Sequence, residues 1–425
     1  MFTGPNIVSN GLVFGFDTGY PLVSDNLDSY KFNKGEPTEN LVGNSTFIGT
    51  TGTQTQGVSP TYWVFSGETE STGFQFYNSD TSPIPLKFPN EGAVVTTGPG
   101  NNSNRRIYFR RTDLLANTTY TMSCWMYFSR AFNSAWSKFQ YDSENTGLLS
   151  EYFDSFSTYA SANGYGLNEW FFWEGTLTTE STTEKCYWGP VISRTADVLV
   201  GMQRMQVEVK EHKTPFITRT RSVSGSLIDL TRTTDIDVTN VSFDSNAQIT
   251  FDGTDDYIDK TRKQYTIEES WSVEVIFKPT DNTDTSWNGL FGGHLTYGGY
   301  WMFHSAGNLT YYEGHSGILG TMITYRSWTK ANTFTTDDYH HLTITYTPTN
   351  ATSGSYDLYY NGGEKTDSFS WAFTWSNSLD SNYIGKGDSS RYGTNDIHIY
   401  KEYNRALSAA EVKQNYNAIK DRFNI

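Results

Sequence analysis

The run GLVFGFDTG at residues 11–19 is a strand with nothing beside it to pair with. Val13, Phe14 and Phe16 are strong β-formers, and Asp17, Thr18 and Gly19 close the run with turn chemistry. Residues 20–60, which follow, are polar and rich in Gly, Pro, Ser and Thr, and contain no good partner. A strand leaves unpaired N–H and C=O groups along both edges, so it cannot hold by itself in water. Its neighbours must come from far along the chain, which makes the topology non-local from the start.

What else the chain can offer is mostly strand. Aromatic residues reach 16% of the 425 positions and charged residues only 18%. Residues 120–128 (YTMSCWMYF), 170–173 (WFFW), 186–192 (CYWGPVI) and 198–209 (VLVGMQRMQVEV) are β-prone runs separated by turn residues, with no helical period between them. Residues 210–226 are polar and basic and read as a connector. A second series follows. Trp271, Val273, Val275 and Phe277 share one face of WSVEVIF, and Leu342, Ile344 and Tyr346 alternate with Thr in HLTITYT. Tyr356, Leu358 and Tyr360 alternate up to Asn361-Gly362, a hairpin signal because a type I′ turn needs positive φ at both central residues.

The one convincing helix closes the chain, in LSAAEVKQNYNAIKDRF. Ser408 and Glu411 form a capping box, Leu407 and Val412 a hydrophobic staple, and Val412, Tyr416, Ile419 and Phe423 an apolar stripe. The expected fold class is all-β, antiparallel β-sandwich, with a short C-terminal helix.

A net charge of −15 argues against nucleic acid and against anionic membrane surfaces, both of which need Lys and Arg. No stretch approaches the roughly 18 apolar residues of a membrane span. The first basic residue is Lys31, so no secretory leader is expected, and export would have to proceed without one, as by lysis. Cys124 and Cys186 are the only cysteines. They exclude a disulfide scaffold, and two buried thiols or one bridge remain open.

The second series resembles the laminin-G-like, concanavalin-A-like jelly roll of tailed-phage virion proteins. The likeness lies in ITFDGTDDYID (249–259), SWSVEVIFKP (270–279), YDLYYNGGEKTDS and IYKEYNRALSAAEVKQNYNAIKDRF (399–423). In that family FDGTDDY follows soon after an opening strand shaped like NIVSNGLVFGFDTG. Here that strand ends at residue 19 and the FDGTDDY stretch begins only after residue 249. The intervening TTYTMSCWMYFS, NEWFFWEGTLTT and MQRMQVEVKEHKTPFITRT resemble a carbohydrate-binding-module-like jelly roll. The resemblance therefore implies two antiparallel β-sandwich (jelly-roll) domains, one inserted into the other: 1–35 and 222–425 as one laminin-G-like sandwich, with 36–221 inserted. The resemblance implies a structural component on the exterior of a tailed bacteriophage particle, present in several copies or as a homo-oligomer. Its partners would be other virion proteins and a host-surface glycan, with no nucleic acid and no membrane insertion.

Chemistry for an enzyme is hard to find. Glycosidases of this fold mount carboxylates as E-x-D-x-x-E on one strand, whereas Glu274 stands alone on its strand. Glu169 and Glu174, like Glu208 and Glu211, fall on opposite faces. Gly-x-Ser-x-Gly, His-Glu-x-x-His and a phosphate-binding Gly-x4-Gly-Lys motif are absent, so no catalytic residue is assigned. A polysaccharide depolymerase with carboxylates brought together from separate strands, and a decoration protein without a ligand, are the alternatives.

Two binding candidates stand out. Asp252, Asp255, Asp256 and Asp259 place four carboxylates in eight positions, enough to offer several oxygens to calcium, which laminin-G-like domains carry at the sandwich rim in some members. The same residues also make an ordinary Asx turn bent at Asp252-Gly253. Trp301, Tyr311, Tyr312, Trp371 and Trp375, each flanked by small polar residues, are candidates for stacking on sugar rings. Trp170 and Trp173 suit a strand in the insert, with Trp170 at a core position by the resemblance.

Overall fold

The opening strand, Leu12–Asp17, lies antiparallel on Thr394–Tyr403 near the other end of the chain, with Phe16 opposite Tyr400 and Asp17 opposite Ile399. The structure is a computed structural model. It describes residues 6–22, 30–43, 45–47, 52–53, 63–66, 74–78, 80–97, 104–111, 114–129, 138–143, 150–155, 162–179, 181, 186–193, 198–260, 264–266, 268–280, 288–292, 299–305, 308–316, 322–330, 335, 338–350, 353–363, 365–372, 378–380, 383–387 and 391–425, some strands by backbone alone. Two compact units result: Met1–Pro37 with Arg221–Ile425, and Thr38–Thr220.

In the first unit the described strands form an eight-stranded and a nine-stranded sheet. Thr394–Tyr403 is central to the eight-stranded sheet, carrying the opening strand and Ile249–Asp252 along one edge and Trp271–Pro279 along the other. His340–Asn350, Ser353–Tyr360 and Lys365–Ala372 continue it as a meander. Between the sheets lies one core, in which Phe14, Phe16, Val273, Val275, Leu342 and Tyr400 meet Ile258, Leu290, Phe291, Met302 and Ile384. Burying side chains of this size contributes about 1.5–3 kcal/mol each, so both Phe residues of the opening strand are integral to the sandwich.

Trp271–Pro279 is buried on both faces, not on one. The second face is covered by the helix Ala409–Phe423, whose Ala418, Ile419 and Phe423 pack on Ile276 and Ile399. Both halves of the capping box are formed, and Glu411 also holds Arg405 in a two-point ion pair. The hairpin turns through Asn361 and Gly362 at φ 48° and 61°. A Cβ on Gly362 would lie 2.0 Å from the Tyr416 ring, so both the backbone and the helix above it require glycine.

The two chain segments flanking the insertion are hydrogen-bonded to each other. Ile228 N–H donates to the Phe32 carbonyl at 2.7 Å, Lys34 N–H to the Ser226 carbonyl at 2.7 Å, and the Ser226 hydroxyl to the Gly35 carbonyl. Residues 227–248, charged in sequence, also join the sandwich: Ile236–Asp237 pairs with Ile258–Lys260, and Ser242–Phe243 with Ile249–Asp252.

The described strands of the second unit are also paired antiparallel. Among the described residues its two main sheets have five and six strands. In the six-stranded sheet Thr119–Phe128 and Trp170–Thr178 pair with Cys124 opposite Trp173, and both side chains are buried. Cys124 is a free thiol that burial pushes to a raised pKa, and the side chain of Cys186 lies outside the described residues. Of the two tryptophans on this strand, Trp173 is fully buried. Trp170 is half-buried, packs against the core cluster of Ile84, Ala93, Val95 and Tyr127, and donates its Nε1–H to the Pro85 carbonyl at 2.6 Å. No helix among the described residues is long and apolar enough to cross a membrane.

Candidate functional site

The FDGTDDY turn builds from its backbone outward. Gly253 adopts φ 80°, and the Asp252 carboxylate accepts from Thr254 N–H at 2.7 Å, closing the bend. Asp256 is buried, with one carboxylate oxygen accepting from the Ser242 N–H and hydroxyl and the other from the Asp252 N–H at 2.9 Å. Carboxylate oxygens of Asp252, Asp255 and Asp256 come within 4.8 Å of one another, whereas Asp259 does not join them. Burial, then the neighbouring Asp252 and Asp255 charges, raise the Asp256 pKa. Three carboxylates bring at most six oxygens to a cation that takes six to eight, and both oxygens of Asp256 already accept hydrogen bonds of the turn. The three that come together therefore serve the Asx turn, with Asp259 outside the set.

Asp259 sits on the next strand, opposite Asp237, where burial and Asp237 raise its pKa and Lys386 lowers it. Lys386 is held among three tyrosine rings, 4.4 Å from the centroid of Tyr257, 5.0 Å from Tyr383 and 4.3 Å from Tyr392. Its ammonium also donates to the Tyr392 hydroxyl at 3.0 Å. This cluster of rings escaped sequence reasoning because its members are spread over 136 positions of chain, and its own lysine fills it.

Glu274 is not a surface carboxylate. It is fully buried beneath the helix, where Lys401 Nζ donates at 3.0 Å, His341 Nε2 at 3.3 Å and Asn415 Nδ2 at 2.5 Å. Burial alone would raise its pKa, but Lys401 and His341 outweigh that and lower it to about 2. Asn415 completes the network by accepting from Val8 N–H at 2.7 Å. On the opposite face Glu402 pairs with the buried Lys260 and accepts from the Tyr400 hydroxyl at 2.6 Å. In the insert, Glu208 is likewise buried and accepts from Thr38, Gln206 and Thr214. All three carboxylates hold the fold together.

Of the aromatic candidates, Trp301, Tyr311 and Tyr312 lie on the paired strands Gly299–Ser305 and Asn308–Ser316, Trp301 opposite Tyr312 and Tyr311 opposite the buried Met302. Trp371 lies on Lys365–Ala372, opposite Gly354. The side chains of these four, and the whole of Trp375, lie outside the described residues.

A cavity of about 510 Å³ opens elsewhere on the same unit, where the opening strand ends, His340–Asn350 begins and the helix stops. Tyr20, Tyr339 and Tyr360, all half-buried, line it together with Asp338, His340 and Asn361. His340 Nε2–H donates to the Thr335 carbonyl at 3.0 Å, which leaves Nδ1 to accept from the Tyr360 hydroxyl at 2.5 Å. Burial lowers the His340 pKa, disfavouring the charged ring, and raises that of Tyr360 to about 12. Asp338 is exposed and accepts from the Thr335 hydroxyl. Arg422 also lines the cavity, but its guanidinium is committed: both terminal nitrogens donate to Asp17, at 2.7 and 2.8 Å, and Nε donates to the Tyr20 carbonyl. Burial would raise the Asp17 pKa, and this pairing lowers it instead.

No curated protein matches the chain. Among solved structures it is similar to the binding domain of Paraclostridial Mosquitocidal Protein 1, at 16% identity over 45% of this chain and 49% of that one, with a TM-score of 0.35. It is also similar to the botulinum neurotoxin serotype D ligand binding domain in complex with N-acetylneuraminic acid, at 16% identity, 46% and 49% coverage and a TM-score of 0.35. A third is the botulinum neurotoxin serotype G binding domain, at 16% identity, 45% and 48% coverage and 0.33. The matched region spans about half the length of these structures, a global similarity too low to bear on function. The family match is more local. Residues 252–413, from the Asp turn to the first turns of the helix, match the concanavalin A-like lectin/glucanases superfamily. The first unit of this chain thus contains, over 252–413, a domain of the concanavalin A-like lectin/glucanase type.

Proposed function

We propose that this protein is a non-enzymatic, glycan-binding structural component of a tailed bacteriophage particle, displayed on its exterior for host attachment. One observation carries the choice of binder over hydrolase. The lectin/glucanase-type domain has Glu274 and Glu402 on its central strands, and both are consumed in buried ion pairs. A glycosidase needs two carboxyl groups facing a substrate about 5–9.5 Å apart, and a buried, fully bonded glutamate cannot serve. The phage setting is supported by the likeness of the FDGTDDY turn and of the closing strand and helix to tailed-phage virion proteins. Display in many copies would let weak sites act together.

Purified protein should bind polysaccharide from the envelope of a susceptible host with a Kd of roughly 0.1–1 mM per site, and should release no reducing ends. Antibody against it should label the outside of intact particles in electron micrographs. Release of oligosaccharide would establish a depolymerase. Absence of binding even in multivalent form would leave a decoration role.

A further inference from the structure

We propose that the cavity bounded by Asp338, Tyr360, Asn361 and the end of the C-terminal helix is a sugar subsite, and that it takes a neutral pyranose and rejects an acidic one. The proposal rests on the glycan-binding reading above and assigns that binding to a place the Asp turn and the Trp-bearing strands do not include.

The chemistry of the lining is the argument. A pyranose has an apolar C–H face and a rim of hydroxyls, so its site needs ring surface beside polar groups of fixed direction. Here Tyr20, Tyr339 and Tyr360 supply ring surface, and none is free to reorient. Tyr20 and Tyr339 pack against each other at 5.1 Å and against Phe423, and Tyr360 stacks on His340. Asn361 is held in place by a hydrogen bond from His341 N–H to its side-chain oxygen at 3.0 Å. Asp338 adds a carboxylate, the strongest acceptor for a sugar hydroxyl. The volume of about 510 Å³ falls within the usual range for small-molecule sites.

Charge decides the class. Arg422 is the one cation among the described side chains lining the cavity, and Asp17 neutralises it through two hydrogen bonds. His340 is buried, and burial disfavours its charged form. Asp338 therefore leaves the site with a net negative charge, which repels a carboxylate-bearing sugar and costs a neutral one nothing.

The test uses the full chain and saturation-transfer NMR titrations with the methyl glycosides of D-glucose, D-galactose and D-mannose, each paired with its uronate where one exists. At least one neutral glycoside should bind with a Kd on the order of 1 mM, and its uronate at least about tenfold more weakly. Asp338→Ala should weaken the neutral sugar by about tenfold or more, the loss of a charge-assisted hydrogen bond, without lowering the melting temperature. Asp338→Asn keeps the shape and should narrow the gap between neutral sugar and uronate, which a purely structural role would not do. Equal binding of uronate, or binding that survives Asp338→Ala, overturns the proposal. So does failure of every neutral glycoside. If host polysaccharide still binds in any of those cases, the glycan-binding reading stands and the site is elsewhere.

Discussion

Glu274 shows how little a residue's chemistry can be judged from its own strand. In sequence it is a solitary acid among β-formers, and solitary acids on strands are usually solvated. In the fold it is the point at which the sheet, the helix and the N-terminal segment are tied together, through Lys401, His341, Asn415 and Val8. Glu274→Gln would leave the buried Lys401 ammonium without its counter-charge, and should cost about 3–5 kcal/mol in urea unfolding. The pKa gives the sign of the acid response. Folding holds the Glu274 carboxyl at about 2, below its ordinary 4.5, so the native state binds its proton less readily than the unfolded chain. Its stabilisation is complete above about pH 4.5 and is lost as pH falls toward 2. Wild-type stability should fall through that window, and Glu274→Gln should flatten the fall. The acidic turn makes the opposite point. Four clustered aspartates suggest a metal, but hydrogen bonds to Ser242 and Asp252 use up the buried one. Melting curves in millimolar calcium and in chelator should coincide, because a ligand of the native state would separate them.

At the scale of the element, the hairpin and the helix were legible because their signals are local. Asn361-Gly362 meets the φ demand of its turn, and Ser408 and Glu411 cap a helix within four positions. The structure adds a reason for Gly362 that the turn alone does not contain, namely the Tyr416 ring resting on it. Gly362→Ala should therefore cost more than the 1–2 kcal/mol of left-handed strain, whereas Asn361→Gly should keep the turn. Comparing the two by thermal unfolding separates backbone strain from the clash with the helix. The expected one-sided burial of Trp271, Val273, Val275 and Phe277 described half of that strand. Ser272, Glu274 and Ile276 are equally buried, because a helix 130 residues further along covers the face that alternation assigns to solvent.

At the scale of the molecule, the opening strand and the closing strand share a sheet, and the segments at the insertion point are bonded to each other. Joining 1–35 to 222–425 with a short Gly/Ser linker should give a soluble domain that unfolds cooperatively, since loop closure costs little with length. The chain 222–425 alone should be markedly less stable, for it loses Phe14 and Phe16 from the core, the Asp17–Arg422 pair and the cover on one edge of Thr394–Tyr403. Equal melting of the two would mean that the opening strand contributes nothing to that sheet.

By itself the sequence determined the all-β class, the capped helix, the Asn-Gly hairpin and the existence of a strand in need of distant partners, because each follows from the residues within a few positions. Only the tertiary structure decided which carboxylates are locked away and where concave, ring-lined surface is left over. Glu274 is bonded to residues 341, 401 and 415, and the cavity gathers residues 20, 338–340, 360–361 and 422. Strand pairing across hundreds of residues, and the helix laid over the sheet, bring those groups together. No local period or spacing carries the outcome of that pairing.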